Sequence, residues 1–412
     1  MLFVLGSANI PKYDLDKIKN RCDVTFILGE VGLNCHSDLL ESKHINYIST
    51  VSSPHPITGA DCYDTKFVCD AIVSSGYELA TVRLYTDEER LLCQVAEIRD
   101  SLQIAGDSLS KALTFKDKVK MKALLLKHDN IGSTTVEFSK HDFPSYEEII
   151  DKLGCKVFVI KPSDLGGSFG FHKLESESDY QTAKSRLQCI DLINTLIAEE
   201  FITGDLFHYD AVIGNGKVLF DTISEYAYPN SEYLNGHINC SINLSPNGDE
   251  YSLLSGFCKR ILQAFKPSSG AVHLEFFFDR ELNSMSFLEI ANRPAGAHIP
   301  KLYECVYGFS LHTLALLSAS DCPLTDDDFI GNSSYYLNGY IPLVDGVFKG
   351  FNFPKLNGSL HVQPLLDNPN MTASKYVGEY SAYFEVESAS ESELLQDFQQ
   401  LKLHSKSLLA LD

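Results

Sequence analysis

The strongest constraint on the fold of this 412-residue chain comes from two apolar segments that flank a short polar stretch. The apolar segments are residues 273–278 and 286–290, and residues 279–285 lie between them. This order of strand, turn and strand predicts an antiparallel hairpin. In such a hairpin the centre of the turn decides which residues face each other across the two strands.

A turn centred on Leu282 places Glu275 opposite Glu289. Because side chains alternate between faces along a strand, both glutamates then share one face of the hairpin. Their Cβ atoms would lie about 5 Å apart, and like charges at that distance are destabilising. A shared Mg²⁺ ion or one shared proton would offset the repulsion, whereas a turn displaced by one residue would point the glutamates apart into solvent. The same register pairs Leu274 with Ile290, Phe276 with Leu288, and Phe277 with Phe287.

The first third of the chain alternates short apolar runs with helical stretches. Leu2–Leu5 and Val24–Leu28 are predicted strands, residues 78–85 are a further candidate strand, and residues 87–104 have the period of a helix. Strands that alternate with helices indicate βαβ units and a parallel sheet. No G-x-G-x-x-G motif follows the first strand, so the sequence does not support a dinucleotide site of that type.

A glycine-rich loop follows directly on a predicted strand in the middle of the chain. The strand, residues 155–160, ends in Lys161-Pro162, and the loop after it contains Gly166, Gly167, Ser168 and Gly170. Main-chain N–H groups in such a loop can converge on phosphate oxygens, and the lysine adds a positive charge. The alternative is a mobile surface hairpin between two strands. The other predicted elements are a helix over 116–128, a helix that opens at Pro144-Ser145 and stops at Gly154, a mostly β region over 197–290, and an amphipathic helix over 391–411.

Composition narrows the range of partners. The 34 basic and 55 acidic residues give a net charge of −21, which disfavours binding to a nucleic-acid backbone or to an anionic membrane surface. No window holds the roughly 18 apolar residues of a membrane helix, and the apolar start is interpreted as a first strand rather than a signal peptide. The 11 cysteines form no C-x-x-C motif, so we expect a reduced, cytoplasmic chain without a zinc site.

Taken in order, six motifs resemble those of the ATP-grasp superfamily, specifically the carboxylate–amine ligase branch that includes L-amino acid (dipeptide) ligases. The resemblance runs from about Leu84 to Pro300, and more loosely to the carboxyl terminus. It implies an α/β and α+β fold, with an amino-terminal Rossmann-like domain before two lobes that clasp ATP. The motifs are Phe115-Lys116-Asp117-Lys118, Val159-Ile160-Lys161-Pro162 with its glycine-rich loop, Glu199-Glu200-Phe201-Ile202-x-Gly204, His208-x-Asp210, His273-Leu274-Glu275, and Leu288-Glu289-Ile290-Ala291-Asn292-Arg293-Pro294.

The resemblance implies roles for residues of these motifs. Lys118 and Lys161 resemble the two lysines that bind the ATP phosphates, and Arg293 resembles the arginine that stabilises the transferring phosphate; Lys161 and Arg293 are the implied catalytic residues. Glu275 and Glu289 resemble the ligands of Mg²⁺ or Mn²⁺. The implied lid over the phosphates contains Gly166, Gly167, Ser168 and Gly170, and the implied hinge at the adenine contains Glu199, Glu200, Phe201 and Ile202.

The chain departs from the family pattern at two places. Many members read E-x-N-x-R at the second metal strand, but here Ala291 takes the asparagine position, and Asn292 comes one place late and is expected to face the other way. Many relatives also carry an acidic residue two places after the hinge glycine, where this chain has Leu206. Asp205 is one place away from that ribose-binding position. Asp210 matches the pattern, and a structural role in its strand is the alternative.

Four residues near these motifs are candidates for contacts with the substrate. His273 should share the face of Glu275 and could hold a substrate or orient a carboxylate, while His298 borders the predicted pocket. Tyr226 and Arg260 are candidates for the acceptor region. For each of the four, a purely structural role is the alternative.

The resemblance implies an ATP-dependent ligase that joins a small-molecule carboxylate to an amine through an acyl phosphate. One alternative is the carboxylase use of the same fold, in which bicarbonate is phosphorylated; another is a nucleotide-binding protein without catalysis. The implied domains are residues 1–110, an α/β domain that precedes the ATP-grasp lobes, residues 111–197, the small lobe with the lid, and residues 198–412, the large lobe with a carboxyl-terminal subdomain. Homodimers are frequent among such enzymes.

Overall fold

The computed structural model describes residues 1–56, 58–128, 131–331, 334–366 and 368–412. Its first region contains β1 (Leu2–Leu5), α1 (Leu15–Arg21), β2 (Val24–Leu28), α2 (Glu30–Ser42), β3 (Asn46–Ser49), β4 (Ser52–Pro54), β5 (Asp61–Tyr63), α3 (Thr65–Ser74), β6 (Arg83–Tyr85) and α4 (Leu92–Leu102). The strands β3, β2, β1 and β6 form, in that order, a parallel sheet. The short strands β4 and β5 pair antiparallel beside it.

The parallel sheet confirms the βαβ organisation predicted for the first third of the chain. β1 and β2 have their predicted bounds and are buried along their whole length, as strands covered by helices on both faces are. The candidate strand over 78–85 is shorter than predicted, because Leu79–Thr81 form a 3₁₀ turn and pairing begins only at Arg83. The predicted helix after it starts as a 3₁₀ turn, Glu89–Leu91, that leads into α4.

The second region contains α5 (Leu109–Thr114), α6 (Lys118–His128), β7 (Thr135–Ser139), α7 (Tyr146–Leu153), β8 (Phe158–Pro162), β9 (His172–Leu174), α8 (Glu177–Gln188) and β10 (Thr195–Glu200). The strands form an antiparallel sheet in the order β7-β10-β8-β9. α7 begins with a capping box between Ser145 and Glu148 and ends at Gly154, whose φ of +71° suits glycine. The predicted strand over 155–160 is displaced, since β8 starts at Phe158 and includes Lys161.

The third region contains β11 (Asp205–Gly214), β12 (Lys217–Tyr226), β13 (Asn239–Asn243), α9 (Asp249–Phe265), β14 (Gly270–Asp279), β15 (Ser284–Ala291), α10 (Ile299–Tyr307), α11 (Leu311–Ala319), β16 (Tyr335–Pro342), β17 (Gly346–Phe351), β18 (Ser359–Pro364), β19 (Asn370–Met371), β20 (Tyr380–Ser388), α12 (Glu391–His404) and β21 (Leu409–Leu411). Within the described ranges, a large antiparallel sheet has the order β15-β14-β11-β12-β13-β16-β20-β18. The strands β19, β17 and β21 form a small separate sheet.

One prediction for the third region is confirmed and another is wrong in part. The region over 197–290 is mostly β, as predicted, and also includes α9, whose apolar face packs on the large sheet. The helix predicted over 391–411 ends at His404, and a 3₁₀ turn and β21 follow. None of the helices in the described part of the chain has the length and hydrophobicity that crossing a membrane requires.

The two faces of the large sheet have different neighbours. On one face, α9 packs its aromatic residues against Phe207 and Phe276. On the other face, α10 and α11 cover the middle of the sheet, where Tyr303 of α10 belongs to the same apolar cluster as Val212 of β11. The part of this second face that carries Glu275 is left facing the antiparallel sheet of the second region, and a cavity lies between the two.

Candidate functional site

Two glutamates face each other across β14 and β15 at the base of this cavity. Glu275 pairs with Glu289, and Leu274 pairs with Ile290, as the sequence predicts. Both glutamates line the cavity, which has a volume of about 370 Å³. Glu275 is buried, whereas the Glu289 side chain is one-third exposed.

The rest of the hairpin has a different register from the predicted one. A β-bulge lies next to Glu275, so that Phe276 pairs with Phe287 and Phe277 pairs with Ser286. The predicted pairs of Phe276 with Leu288 and of Phe277 with Phe287 are therefore wrong. The physical reason is that Leu288 is the extra residue of the bulge and the turn spans residues 280–283 rather than centring on residue 282.

The bulge changes which side chains form the wall of the cavity. Phe276 and Phe287 both face α9 and belong to the apolar core. Leu288, which the predicted register pairs with Phe276, instead lines the cavity together with Phe277. The bulge thus gives the cavity an apolar wall beside the two carboxylates.

Donors from three side chains converge on one oxygen of Glu275. The hydroxyl of Tyr226 lies 2.8 Å from Oε1, the amide Nδ2 of Asn230 lies 2.9 Å from it, and Nε2 of His273 lies 3.4 Å from it. Burial alone would raise the pKa of the Glu275 carboxyl, but the His273 and Tyr226 donors hold this pKa below its ordinary value. The carboxylate is therefore ionised and fixed in orientation.

Behind His273, a fully buried network centres on Asp210. The carboxylate accepts hydrogen bonds from Nδ1 of His273 at 2.9 Å, from Nδ1 of His208 at 2.7 Å and from the hydroxyl of Tyr303 at 2.5 Å. Burial alone would lower the pKa of His273, but Asp210 and Glu275 raise it to about 10. His273 is thus a cation between two carboxylates, and it links Asp210 to Glu275.

The ligand atoms of His208, Asp210 and His273 lie within 4.8 Å of one another. The three residues are joined by hydrogen bonds through Asp210, which also accepts one from Tyr303. We interpret them as a network that orients Glu275 and not as a separate cation site. Asp210 is buried and does not line the cavity, so its contact with the nucleotide stays a prediction that the lining does not support. The hydrogen bonds of Asp210 to His208, His273 and Tyr303 favour the alternative, a structural role for this residue in its strand.

Both lysines of the predicted phosphate site line the cavity. Nζ of Lys118 lies 3.3 Å from Oε2 of Glu289 and donates a hydrogen bond of 2.7 Å to the carbonyl of Leu165, in the loop after β8. Lys161 forms an ion pair with Glu199. Burial and the neighbouring Lys118 charge lower the pKa of Lys161 to about 8.

A third lysine belongs to this group of charges and was not predicted from the sequence. Lys122 is fully buried and forms an ion pair with the same Glu199 that Lys161 contacts. Burial, and then the charge of Lys161, lower the pKa of Lys122 well below its ordinary value. The signal was in the sequence, because Lys118 and Lys122 are four residues apart and share a face of α6.

The hinge and most of the glycine-rich loop also line the cavity. Of the four residues predicted for the lid, Gly166, Gly167 and Ser168 line the cavity. Gly170 does not line it; with a φ of +68°, it makes the turn back and packs beside Pro162. The carbonyl of Gly167 accepts a hydrogen bond of 3.3 Å from the main-chain N–H of Val377, which the sequence analysis missed. The hinge residues on the cavity wall are Glu199, Glu200, Phe201 and Ile202.

Arg293 reaches the cavity from the end of β15 and is paired with a residue of the first region. Its Nη2 and Nε lie 2.5 and 3.1 Å from Oε2 of Glu89. Glu89 also accepts a hydrogen bond of 3.0 Å from Nζ of Lys116. The sequence analysis missed Glu89, because the two partners are 204 residues apart in the chain.

Besides Asp210 and Gly170, three further predicted site residues do not line the cavity. Asp205 lies on the opposite face of β11 from Leu206 and pairs with Arg280 and Lys402 at the surface, and its contact with the ribose stays a prediction. His298 is buried between the amides of Asn239 and Asn338, and burial lowers its pKa to about 3. Arg260 is exposed on α9 over the ring of Phe257. The substrate contacts of His298 and Arg260 stay predictions that the lining does not support, whereas Tyr226 and His273 do line the cavity.

Asn292 faces away from the glutamates, as its place in the strand predicts. Its Nδ2 lies 3.2 Å from the carboxylate of Asp107, in the loop after α4. The β14–β15 hairpin therefore contributes two carboxylates to the cavity, and the Asn292 side chain does not join them. Around these carboxylates stand the cations of Lys118, Lys161 and Arg293.

Comparisons with known proteins identify relatives of the chain by sequence. It is 28% identical over 311 residues to an L-arginine-specific L-amino acid ligase from Bacillus subtilis, which covers 71% of this chain and 72% of that one. It is 25% identical over 231 residues to a D-alanine–D-alanine ligase from Bacillus pumilus, which covers 50% of this chain and 62% of that one. No family model matches the chain.

Solved structures share its fold over the whole length. An L-amino acid ligase from Bacillus licheniformis superimposes with a TM-score of 0.69 at 15% identity, covering 100% of this chain and 98% of that one. An N5-carboxyaminoimidazole synthetase from Staphylococcus aureus, solved with ADP, superimposes with a TM-score of 0.64 at 12% identity, covering 97% of this chain and 96% of that one. The sequence relatives support the ATP-grasp carboxylate–amine ligase family for this chain, and the solved structures show that it has the ATP-grasp fold.

Proposed function

We propose that this chain joins the carboxylate of one amino acid to the amine of a second, in a reaction that converts ATP to ADP and phosphate. The observation that carries the proposal is the opposition of Glu275 and Glu289 at the base of the cavity, ringed by three cationic side chains. Two sequence relatives, named an L-amino acid ligase and a D-alanine–D-alanine ligase, support amino acids as the substrates.

The two glutamates fit a divalent cation, for which we propose Mg²⁺ or Mn²⁺. Carboxylate oxygens are the ligands that these ions prefer, and the donors on Oε1 of Glu275 fix that carboxylate in one orientation. Lys118, 3.3 Å from Glu289, balances one of the negative charges. A bound cation would supply positive charge beside the phosphate oxygens of ATP.

The positive side chains serve the first step, in which the substrate carboxylate attacks the γ-phosphate and gives an acyl phosphate and ADP. Lys118 and Lys161 bind the phosphate oxygens, and Arg293 stabilises the charge on the phosphoryl group as it moves. In the second step the amine attacks the acyl carbon, and phosphate leaves. The protein needs no covalent nucleophile for either step.

An acyl phosphate reacts with water, so the site must close while the intermediate exists. We propose the loop with Gly166, Gly167 and Ser168 as the lid. The contacts of Leu165 with Lys118 and of Gly167 with Val377 support this role, because they join the loop to the phosphate site and to the carboxyl-terminal region. The hinge at 199–202 is the proposed adenine site.

The three regions support a division into residues 1–110, 111–197 and 198–412, which we keep as a proposal. Each of these ranges has a sheet of its own, although β10 of the second sheet crosses the boundary between residues 197 and 198. The 11 free cysteines support a reduced, cytoplasmic location.

Isotope transfer tests the proposal directly. The protein is incubated with ATP, Mg²⁺ and pairs of L-amino acids whose carboxylates carry ¹⁸O, and the products are analysed by mass spectrometry. We expect one ¹⁸O atom in the released phosphate for each amide formed, because the acyl phosphate passes a carboxylate oxygen to phosphorus. Phosphate release that requires bicarbonate would contradict the proposal in favour of a carboxylase. Amide formation with unlabelled phosphate would contradict the acyl phosphate.

A further inference from the structure

A second, larger cavity lies between the first region and the α9 side of the large sheet. Its volume is about 1060 Å³. Its walls come from β6 and α4, from the turn between β11 and β12, and from the end of α9 with the loop after it. As far as the described residues show, it shares no lining residue with the nucleotide cavity.

Basic residues outnumber acidic ones in this cavity, although the whole chain carries a charge of −21. The lining has Arg83, Arg99, Lys259 and Lys266 against Asp107 and Asp321. Both acids have partners. Arg83 lies 2.6 Å from Asp321, and the carboxylate of Asp107 accepts hydrogen bonds from Ser268 at 2.6 Å and from Asn292 at 3.2 Å. Lys259 lies 3.4 Å from Asp221, which is outside the lining. In formal charges, Arg99 and Lys266 then remain against Asp107, which leaves an excess of one positive charge in the lining.

Arg99 is held in place by main-chain atoms rather than by a carboxylate. Its Nε and Nη2 donate to the carbonyl of Leu84 at 3.0 and 2.5 Å, and its Nη1 donates to the carbonyl of Asp107 at 3.4 Å. Gly106, with a φ of +145°, lets the loop after α4 pass close over the guanidinium, because a Cβ there would lie 2.8 Å from Nε. Among the ion pairs of the described residues, none includes Arg99. Its positive charge is fixed, half-buried and not neutralised by direct contact.

Two buried polar atoms of the lining lack a hydrogen-bond partner within the described structure. They are the hydroxyl of Tyr85 and Oδ1 of Asn292. Buried polar groups are nearly always satisfied by protein, water or ligand. Oδ1 of Asn292 accepts only, so its missing partner is an N–H or O–H group.

We propose that this cavity binds a small molecule that carries a carboxylate and an N–H or O–H donor, of which a free α-amino acid is the simplest. The carboxylate would form ion pairs with Arg99 and Lys266, and the donor would form a hydrogen bond to Oδ1 of Asn292. The hydroxyl of Tyr85 would form a further hydrogen bond to the ligand. The proposal does not depend on the ligase reaction, since the residues and the space are separate from the nucleotide cavity. Asn292 precedes Arg293 directly, so an occupied cavity contacts the segment that carries the catalytic arginine.

Calorimetric titration tests this site. The probes are the 20 standard L-amino acids, with acetate and inorganic phosphate as anions that have no amino group. The chain offers a matched pair of variants, Tyr85→Phe and Tyr63→Phe, because both tyrosines have a buried hydroxyl without a partner but only Tyr85 lines the cavity. A third variant, Lys266→Ala, removes a positive charge from the exposed end of α9.

We expect at least one amino acid to bind the wild type and Tyr63→Phe equally. Tyr85→Phe should bind it roughly five- to tenfold more weakly, as the loss of a hydrogen bond requires. Lys266→Ala should also bind it more weakly, and Glu289→Gln should keep this binding, which separates it from binding at the proposed active site. The proposal is overturned if no amino acid binds, if phosphate or acetate binds as tightly as every amino acid, or if Tyr85→Phe and Lys266→Ala bind like the wild type.

Discussion

Arg293 and Glu89 form an ion pair that joins the end of β15 to the first region of the chain, with Nη2 of the arginine 2.5 Å from Oε2 of the glutamate. Burial alone would raise the pKa of the Glu89 carboxyl, but the Arg293 guanidinium and the Lys116 ammonium hold this pKa well below its ordinary range. The carboxylate therefore stays ionised and fixes the guanidinium from behind. Glu89 is a positioning residue for Arg293.

Replacement of Glu89 by glutamine should lower kcat about tenfold and leave the KM for ATP nearly unchanged, since the guanidinium keeps its charge but loses its fixed orientation. Arg293→Lys should be worse, by about 10²–10³ in kcat. Steady-state kinetics of phosphate release measures both. Glu97→Gln, an exposed position on α4, is the control and should behave like the wild type. Equal kcat for Glu89→Gln and the control would show that the ion pair does not position Arg293.

The network behind Glu275 predicts an altered dependence on metal. Asp210→Asn removes the charge that keeps His273 protonated and oriented toward Glu275, so the half-saturating Mg²⁺ concentration should rise about 10–100-fold. The measurement is phosphate release as a function of Mg²⁺. Asp221→Asn, a half-buried acid on β12, is the control. An unchanged Mg²⁺ requirement in folded Asp210→Asn would assign the network to stability alone.

The contact between Gly167 and Val377 predicts how the lid protects the intermediate. Val377→Pro removes the N–H that donates to the Gly167 carbonyl, whereas Val377→Ala keeps it. The proline variant should release more phosphate per amide formed, because water would enter a lid that closes less well. The ratio of phosphate to amide, measured by mass spectrometry, should be near one in the alanine variant. Equal ratios in the two variants would exclude the contact from lid closure.

Asp328 predicts a pH-dependent contribution to stability. Its buried carboxylate lies 2.9 Å from both Lys17 and Arg21. Burial is the largest single effect and would raise its pKa, but the hydrogen bonds from Arg21, from the main-chain N–H of Thr325 and from Lys17 together lower the pKa below the ordinary 3.8. The unfolded chain therefore binds a proton at a higher pH than the folded chain does. The stabilisation is complete above about pH 5 and is lost as the pH falls through the lowered pKa.

Asp328→Asn should thus lower the free energy of unfolding by about 1–2 kcal/mol at pH 7, measured in urea. The difference from the wild type should shrink as the pH falls below about 4. Asp327→Asn changes the exposed neighbour and should match the wild type at both pH values. A difference for Asp328→Asn that stayed constant down to pH 2 would contradict the lowered pKa.

Structure that depends on residues close together in the sequence was predictable, because the local pattern of apolar, polar and turn residues determines local structure. The alternation of strands and helices around β1 and β2, and the cap of α7 between Ser145 and Gly154, follow from short-range rules. So does the opposition of Glu275 and Glu289. A one-residue bulge is not visible in such a pattern, since the apolar residues Phe287 and Leu288 could each have faced the core.

The residues that the sequence analysis missed or misplaced are determined by tertiary contacts. Glu89 meets Arg293 only after the first region has packed on the large sheet. His298 sits beside two residues that line the cavity, yet its side chain points to Asn239 and Asn338. Asp205 lies one place from Leu206, and that single step puts it on the other face of β11. Sequence spacing identified the segments of the site more reliably than it identified the side chains within them.

Binding of Mn²⁺ with ADP, followed by electron paramagnetic resonance, tests most directly whether Glu275 and Glu289 hold a common cation. The comparison is between the wild type, Glu275→Gln, Glu289→Gln and Glu281→Gln, which changes an exposed glutamate in the turn of the same hairpin. We expect tight Mn²⁺–ADP binding by the wild type and by Glu281→Gln, and binding weakened at least tenfold in each of the other two. Wild-type affinity in folded Glu275→Gln and Glu289→Gln would contradict the shared cation site.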